Sequence, residues 1–299
     1  MSNYHTPALL QECIQGLNIK PGGIYVDVTF GGGGHSKEIL KNLIDGRLIA
    51  FDQDEDARVN ILNDNRFLFI HSNFRFIKNY LRYYNIKKVD GIIADLGISS
   101  FHIDAESRGF SFKADAKLDM RMNQEMKKSA ADLLTEYSEI DLINMFRFYG
   151  EIKNAGKLAK CIVAARKEHA ISNIVGFVEI IKNVIPKRLE NKYLAKVFQA
   201  IRIELNDEIG ALEEFLHASG DIISEDGRLV VISYHSLEDR FVKNYIRSGN
   251  CQGKIEKDLY GNYERPLKQV NKKVIVPTEE EIKINPRSRS AKLRIAEKI

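Results

Sequence analysis

The order of apolar runs along the chain predicts an α/β fold, with a parallel sheet covered by helices on both faces and an all-helical insertion. In the first hundred residues, short β-branched runs alternate with amphipathic ones. Such alternation forms βαβ units, in which a parallel sheet is buried between helices. A long stretch with only helical periodicity follows, and strand-like runs return after it. We therefore predict that a helical domain is inserted into the sheet domain.

Four strands are predicted in the first hundred residues, at GIYVDVTF (23–30), GRLIAFD (46–52), RFLFIHS (66–72) and VDGIIADLG (89–97). Apolar residues at helical spacing predict helices over 35–43 and 76–85, and a polar helical stretch begins at Asp54. The chain thus returns to the same end of the sheet after each strand, as a doubly wound fold requires.

The inserted domain is predicted over 105–206, and the sheet domain over 1–104 and 207–299. Ser129 and Asp132 match the S-x-x-D signal of a helix start. The remaining predicted elements are a long helix (197–219), a strand (227–236), a capped helix (236–247) and two last strands (270–277 and 290–298).

Composition indicates an ordinary soluble protein. The 299 residues are 44% hydrophobic and 29% charged, and the net charge of +4 permits nucleic-acid binding without demanding it. Cys13, Cys161 and Cys251 are far apart and form no C-x-x-C pair, as expected in a reducing cytosol. Neither a secretory signal nor an apolar run of about 20 residues is visible, so we expect a cytoplasmic protein. The seven histidines show no metal-ligand spacing, which predicts no metal.

The stretch VDVTFGGGGHS (26–36) places four glycines between a strand and a helix. Glycine lets backbone N–H groups approach a ligand closely, and Asp52 follows Gly31 by about 20 residues at the end of the next strand, where a ribose would be held. This predicts an adenosine-containing cofactor and leaves a nicotinamide dinucleotide and S-adenosylmethionine (SAM) both open. Ser36 stands where the dinucleotide motif prefers a smaller residue, and no Gly-Lys-Ser/Thr follows, which excludes a P-loop. The alternative is a glycine turn without a ligand.

Asp95 ends the fourth predicted strand, in IIADLGISSFHID (92–104). Ligands of doubly wound sheets bind over the carboxyl ends of the strands. A carboxylate there could accept a hydrogen bond from an amine substrate or from the cofactor. It could equally cap a helix or order a loop.

Several blocks together resemble one family across almost the whole chain: HTPALLQE (5–12), VDVTFGGGGHS (26–36), AFDQD (50–54), DGIIADLGISS (90–100), RGFSFKADAKLDMRM (108–122), FQAIRIELNDE (198–208), ISYHSLEDRFVK (232–243) and NPRSRSAKLRIAEK (285–298). The chain is similar to the bacterial SAM-dependent methyltransferases that modify the exocyclic N4 amine of a cytidine in small-subunit (16S) ribosomal RNA. The resemblance implies a Rossmann-like methyltransferase sheet, SAM as cofactor, and small-subunit RNA or the assembled 30S particle as partner. It implies no membrane contact and leaves monomer and homodimer open.

The resemblance also implies roles for individual residues. Gly33, Gly34 and His35 would line the SAM pocket, Asp52 would hold the ribose, Phe74 would contact the adenine, and Asp95 would lie near the methyl donor. The family usually has Gln near the cofactor where this chain has His102, and Pro where it has Phe101.

The chemistry of the cytosine amine suggests further roles. Its lone pair is delocalised into the ring, so a methyltransferase must accept its N–H hydrogen bonds and later remove a proton. Asp95 is the first candidate acceptor and His235 the second, although His235 could instead tie the following helix to the strand end. Base stacking could come from Phe101, Phe110 or Tyr234, each of which could equally be core.

Two basic segments could contact RNA phosphates. Arg108 and Arg121, with Lys127 and Lys128, stand at the start of the insertion, and Arg287 and Arg289 precede a strand that carries Lys292 and Arg294. The helical domain is the predicted site of substrate recognition. Two other functions remain open at this point: a nicotinamide-dependent oxidoreductase, and a non-catalytic SAM-binding RNA assembly factor.

Overall fold

A computed structural model describes residues 7–99, 104–255, 257, 263 and 265–299. The chain divides into two units. Unit 1 comprises the residues up to Gly97 together with Gly210–Ile299, and unit 2 comprises Ile98–Ile209. The divisions thus lie after residues 97 and 209, where the sequence prediction placed them after 104 and 206.

Unit 1 is built on a seven-stranded sheet with strand order β3-β2-β1-β4-β5-β7-β6. The strands β1 to β5 run parallel, and β7 is antiparallel to both β5 and β6. The predicted α/β fold is confirmed. The bounds are Ile24–Asp27 (β1), Arg47–Asp52 (β2), Phe67–His71 (β3), Val89–Asp95 (β4), Ile223–Ser233 (β5), Leu267–Gln269 (β6) and Lys292–Lys298 (β7).

The described residues of the first segment of unit 1 form the α-helices α1 (Leu10–Leu17), α2 (Gly34–Asn42) and α3 (Ile77–Tyr83). No element was predicted before residue 23, so α1 was missed. The polar stretch after Asp54 forms a 3₁₀ helix, Glu55–Asn60, which the Asp54 side chain caps.

Unit 2 consists of helices around a hydrophobic core of its own, which includes Leu134, Phe146, Ile162 and Phe177. Within the described residues, the one β feature of this unit is an isolated bridge between Lys117 and Asn173. The predicted capping signal is present, because Ser129 and Asp132 form a capping box. The α-helices formed by its described residues include α4 (Ala130–Glu136), α5 (Glu139–Phe148), α6 (Ala155–Ala165), α7 (Ile174–Ile181) and α8 (Glu190–Leu205).

The remaining helices are α9 (Glu208–Ile222), α10 (Ser236–Ser248) and α11 (Glu279–Ile284). Both faces of the sheet are covered, as predicted. On one face, α3, α9 and α10 contribute Leu81, Phe215 and Tyr245 to the core, and on the other face α1 and α2 contribute Leu17 and Ile39.

The single long helix predicted over 197–219 is wrong, because α8 and α9 are separate. The chain breaks at Asn206, whose side chain accepts a hydrogen bond from Met122 N (2.8 Å) and donates one to Met120 O (2.9 Å). Asp207 then adopts a left-handed conformation (φ +48°), which Asp tolerates better than most residues.

The strand predicted over 270–277 is also wrong, because β6 lies at Leu267–Gln269. The side chain of Asn271 accepts the hydrogen bond of Ile295 N (2.9 Å), so this β7 amide is paired with a side chain and not with a strand. Ile275 later makes an isolated bridge to Leu293.

None of the helices formed by the described residues has the length and apolar character needed to cross a bilayer.

Candidate active site

Carboxylates stand at the carboxyl ends of three neighbouring parallel strands of unit 1. Asp52 ends β2, Asp27 ends β1 and Asp95 ends β4. Tyr234 and His235 directly follow β5, the next strand in the sheet. The edge where a doubly wound sheet binds its ligands therefore carries several side chains that can exchange hydrogen bonds or protons.

The glycine loop connects β1 to α2 and is held in place by two side chains. Gly31 N donates a hydrogen bond to Asp52 Oδ2 (2.8 Å), and Asn60 Nδ2 donates one to Gly31 O (3.0 Å). Gly33 has φ +73°, and a Cβ there would lie 2.9 Å from the Phe30 ring. Glycine is therefore required at this position by backbone conformation and by space. Gly34 is required for another reason, since its Cβ would lie 2.2 Å from Pro7 Cγ.

The loop and Asp52 fit the cofactor that the sequence predicts. Asp52 Oδ1 accepts a hydrogen bond from Asp54 N (2.9 Å) and Oδ2 accepts that of Gly31 N. These bonds orient the carboxylate beside the glycine loop, and a carboxylate oxygen can accept more than one hydrogen bond. The half-buried side chain stands beside the loop that would carry the rest of the ligand.

Asp27 is the most deeply buried of these carboxylates, at 1% exposure. Burial raises its pKa to about 6, although hydrogen bonds from the Ser36 hydroxyl (2.7 Å) and Thr29 N (3.1 Å) oppose the shift. These bonds anchor the start of α2 to the end of β1. Ser36, which made a dinucleotide site less favourable, therefore has a defined role in holding the loop.

The pKa of Asp95 is shifted further from its ordinary value than that of Asp27. Its side chain is 23% exposed, and Tyr234 donates its hydroxyl hydrogen to Asp95 Oδ1 (2.8 Å). Desolvation raises the pKa of Asp95 to about 7, and the charges of Asp27 and Glu238 add to the shift, while the Tyr234 hydrogen bond opposes it. The Asp95 carboxyl group can therefore gain or lose a proton near neutral pH.

His35 lies in the first turn of α2 and is 6% exposed. Burial lowers its pKa to about 4, so the ring is neutral at pH 7. Its Nε2 is 3.3 Å from Ala8 O, which can only accept, so Nε2 carries the proton and Nδ1 has a free lone pair. Nδ1 is 3.8 Å from Asp95 Oδ2, too far for a hydrogen bond. The two groups therefore face each other without forming an ion pair.

His235 is the N-cap of α10. Its Nδ1 accepts the hydrogen bond of Glu238 N (3.3 Å), and Glu238 Oε2 accepts those of Tyr234 N (2.9 Å) and His235 N (3.3 Å). Glu238 is 3% exposed. This capping box fixes the backbone of Tyr234, whose hydroxyl group reaches Asp95. The structural interpretation of His235 thus has direct geometric support.

Of the other predicted cofactor residues, the structure describes Phe74 but not His102. Phe74 opens the 3₁₀ helix after β3, is half-buried and packs edge-on against Phe215, with 5.4 Å between ring centroids. His102 and Phe101 lie outside the described residues. Phe110 is 8% exposed and belongs to the core of unit 2.

Among the predicted RNA contacts, two arginines of unit 2 are engaged in internal bonds. Arg108 is 8% exposed and donates to the carbonyl oxygens of Arg121 and Met122. Arg121 binds both carboxylate oxygens of Asp119 (2.8 Å each). In unit 1, Arg289 is exposed and Arg287 is half-buried. Arg289 is therefore the most accessible of the four, and phosphate contact by any of them stays a prediction.

One group of possible metal ligands lies within unit 1. The ligand atoms of Glu213, His217 and Cys251 are within 4.8 Å of one another. Burial raises the pKa of Cys251 to about 12, so its thiol is protonated at neutral pH and is a poor ligand in that form.

Two parts of this site were not predicted from the sequence. Asp27 lies in the quoted glycine-loop stretch but was given no role, and Tyr234 was considered only as a stacking residue. The apolar run around Asp27 in VDVTF could have marked it, because a charged side chain within a strand that is buried on both faces needs a partner.

Comparisons with known proteins identify the family. The model of the MraW methylase family matches residues 2–299. Ribosomal RNA small subunit methyltransferase H of Bacteroides thetaiotaomicron is 57% identical over 296 residues, which cover 99% of this chain and 97% of that protein. The protein of the same name from Flavobacterium johnsoniae is 55% identical over 297 residues, covering 99% and 98%. The chain therefore belongs to the MraW methylase family: it is a methyltransferase whose methyl donor is SAM, as the sequence resemblance predicted.

Proposed function

We propose that this protein transfers a methyl group from SAM to the exocyclic N4 amine of a cytidine in small-subunit ribosomal RNA, in the cytoplasm. The names of its relatives, at 55–57% identity over nearly the full length, support this substrate. The observation that carries the proposal is the position of Asp95, a carboxylate with a raised pKa that meets a tyrosine hydroxyl and a neutral histidine at the end of β4.

Asp95 is the group that would bind the amine. SAM supplies an electrophilic methyl group on a sulfonium ion. The cytosine nitrogen attacks well only if its lone pair is drawn out of the ring, and an acceptor for its N–H favours that geometry. Tyr234 occupies one lone pair of Asp95 Oδ1, so Oδ2 and the remaining lone pairs can accept the amine N–H.

The same carboxylate would take the proton that methylation makes acidic. A general base works best when its pKa is close to the working pH, and the pKa of Asp95 is about 7. The neutral ring of His35 presents an unprotonated Nδ1 beside it and offers a second acceptor. We assign His235 a positioning role, because its capping box holds the Tyr234 backbone.

The cofactor would lie along the strand ends next to these groups. We propose that Gly33, Gly34 and His35 line its pocket at the start of α2. Asp52 would accept the ribose hydroxyl hydrogens at the end of β2, and Phe74 would contact the adenine after β3. Their support is the location of each residue at the carboxyl edge of the sheet.

The proposal is tested by mapping methylated nucleotides in small-subunit RNA. Small subunits that lack the modification are incubated with SAM and the protein, and the RNA is digested and analysed by mass spectrometry. We expect one new N4-methylcytidine with the wild-type protein and none with Asp95→Ala, which should still bind SAM in a calorimetric titration.

Other outcomes separate the alternatives. Tight SAM binding without methyl incorporation would favour a non-catalytic assembly factor. Wild-type methylation rates for Asp95→Ala would refute the role of Asp95.

A further inference from the structure

An open groove lies on unit 2. Its volume is about 690 Å³, and three parts of the unit line it: residues 117–121, residues 127–135 around the start of α4, and residues 166–172 after α6. We call it the α4–α6 groove. It is built entirely from unit 2, and none of the groups proposed for catalysis belongs to it.

The groove carries an excess of positive charge. Three acidic side chains line it, Asp119, Asp132 and Glu168. The basic side chains are more numerous: Lys117, Arg121, Lys127, Arg166, Lys167 and His169.

Local partners hold two of the three acidic groups. The Arg121 guanidinium binds both oxygens of Asp119, and the pKa of Asp119 is lowered although partial burial alone would raise it. Ser129 donates its hydroxyl and backbone hydrogens to Asp132, which lowers the pKa of that carboxyl group. These carboxylates serve the fold of unit 2, and Asp119 has its own counter-charge.

Three lysines remain available to a ligand. Lys117, Lys127 and Lys167 are exposed, and none of their ammonium groups forms a hydrogen bond or an ion pair with another described residue. Lysine ammonium groups are point charges suited to phosphate contact.

The walls that carry these lysines are fixed by hydrogen bonds. Arg166 Nη1 donates to the carbonyl oxygens of Leu134 (2.8 Å) and Tyr137 (2.7 Å) at the end of α4. Leu118 N donates to Ser172 O (3.0 Å) and joins residues 117–121 to residues 166–172. The groove therefore does not have to form when a ligand binds.

We infer that the α4–α6 groove binds the sugar–phosphate backbone of the RNA substrate through Lys117, Lys127 and Lys167. The inference rests on the proposed function for the identity of the polyanion. Among the described residues that line the groove, His169 carries the one aromatic ring, and there is no Phe, Tyr or Trp to form a platform for several stacked bases. Cationic, hydrogen-bonding walls without such a platform favour contact with the backbone.

The test is a triple variant, Lys117→Gln/Lys127→Gln/Lys167→Gln, with a matched control, Lys153→Gln/Lys157→Gln/Lys160→Gln. The control lysines are also exposed and lie on unit 2 outside the groove, so the net charge changes equally. Binding to small subunits is measured as a function of KCl concentration, and methyl transfer is measured under initial-rate conditions.

We expect the groove variant to bind small subunits roughly tenfold more weakly at moderate salt. Its plot of log K against log salt should be shallower by about 2, since each lost phosphate contact on a single strand removes ~0.7. KM for the subunit should rise with kcat and SAM affinity unchanged, and the control variant should behave as wild type.

The inference is overturned if the groove variant keeps the wild-type salt dependence, if the control variant loses as much affinity, or if only kcat changes. These results are distinct from failure of the proposed function, in which the wild-type protein itself would incorporate no methyl group.

Discussion

The pKa values of two carboxyl groups at the strand ends of unit 1 and of two carboxyl groups in unit 2 are shifted in opposite directions. At the strand ends of unit 1, burial raises the pKa of Asp27 to about 6 and that of Asp95 to about 7. In unit 2, the pKa values of Asp119 and Asp132 are lowered by hydrogen bonds to Arg121 and Ser129.

The difference comes from burial and from the partners. Asp132 is exposed, so the hydroxyl and amide hydrogen bonds from Ser129 outweigh a small cost of desolvation. The hydrogen-bond donors of Asp27 and Asp95 are hydroxyl and amide groups, which do not repay the cost of burying a charge. Asp119 accepts hydrogen bonds from the positively charged guanidinium of Arg121, which does offset that cost. Unit 1 thus keeps carboxyl groups that can exchange protons near neutral pH, while unit 2 keeps carboxylates ionised as parts of its framework.

Asp95→Asn tests the first half of this comparison and should have the largest effect. We expect kcat to fall by about 10²–10⁴, because the amide cannot accept the proton, while SAM affinity changes little. The raised pKa means that the folded wild type holds more protons than the unfolded chain between the ordinary value and about 7. Wild-type stability should therefore fall as pH rises through this range, by up to about 1.4 kcal/mol per pH unit from this group.

Asp95→Asn lacks this titrating carboxyl group, so its free energy of unfolding, measured by urea denaturation, should fall less between pH 5 and pH 8. An identical pH dependence in the two proteins would contradict the raised pKa.

Asp119→Asn tests the second half. The loss of a charged pair of hydrogen bonds to Arg121 should lower the free energy of unfolding by about 1–3 kcal/mol. Because the pKa of Asp119 is lowered, its contribution is present above the ordinary Asp value and is lost only in acid. The difference from wild type should thus be constant between pH 6 and pH 8, and kcat of the folded variant should be unchanged. A loss of kcat without loss of stability would break the comparison.

Tyr234→Phe sharpens the description of Asp95. The Tyr234 hydroxyl hydrogen bond favours the ionised carboxylate, so its removal should raise the pKa of Asp95 further. The acid limb of the pH–rate profile should move to higher pH, and the rate at pH 7 should fall by less than about tenfold. A shift to lower pH would show that this bond does not stabilise the carboxylate.

His235→Asn should have the smallest effect. Asn is a good N-cap, so the start of α10 and the position of Tyr234 should be retained, with stability within about 0.5 kcal/mol of wild type and an unaltered pH–rate profile. Loss of one limb of the profile would instead assign His235 to proton transfer.

Local patterns predicted the parallel strands and the loop glycines, because burial and turn geometry constrain neighbouring residues directly. The break between α8 and α9 escaped prediction, since it depends on Asn206 bonding to residues 84 and 86 positions away. The Tyr234–Asp95 bond spans 139 positions and exists because β5 lies beside β4 in the sheet. The family resemblance indicated which residues matter, but the contacts between distant strands depend on the topology.

The strand order has a consequence for synthesis of the chain. β4 pairs with β1 on one side and with β5 on the other, and all of unit 2 is made between β4 and β5. Unit 2 is one contiguous segment, so we expect it to fold on the ribosome while β4 still has an unpaired edge. Ile92 and Ile93, fully buried in the finished sheet, would lie at that edge. The nascent protein is therefore most prone to aggregate after β4 has emerged and before residues 223–233 have been made.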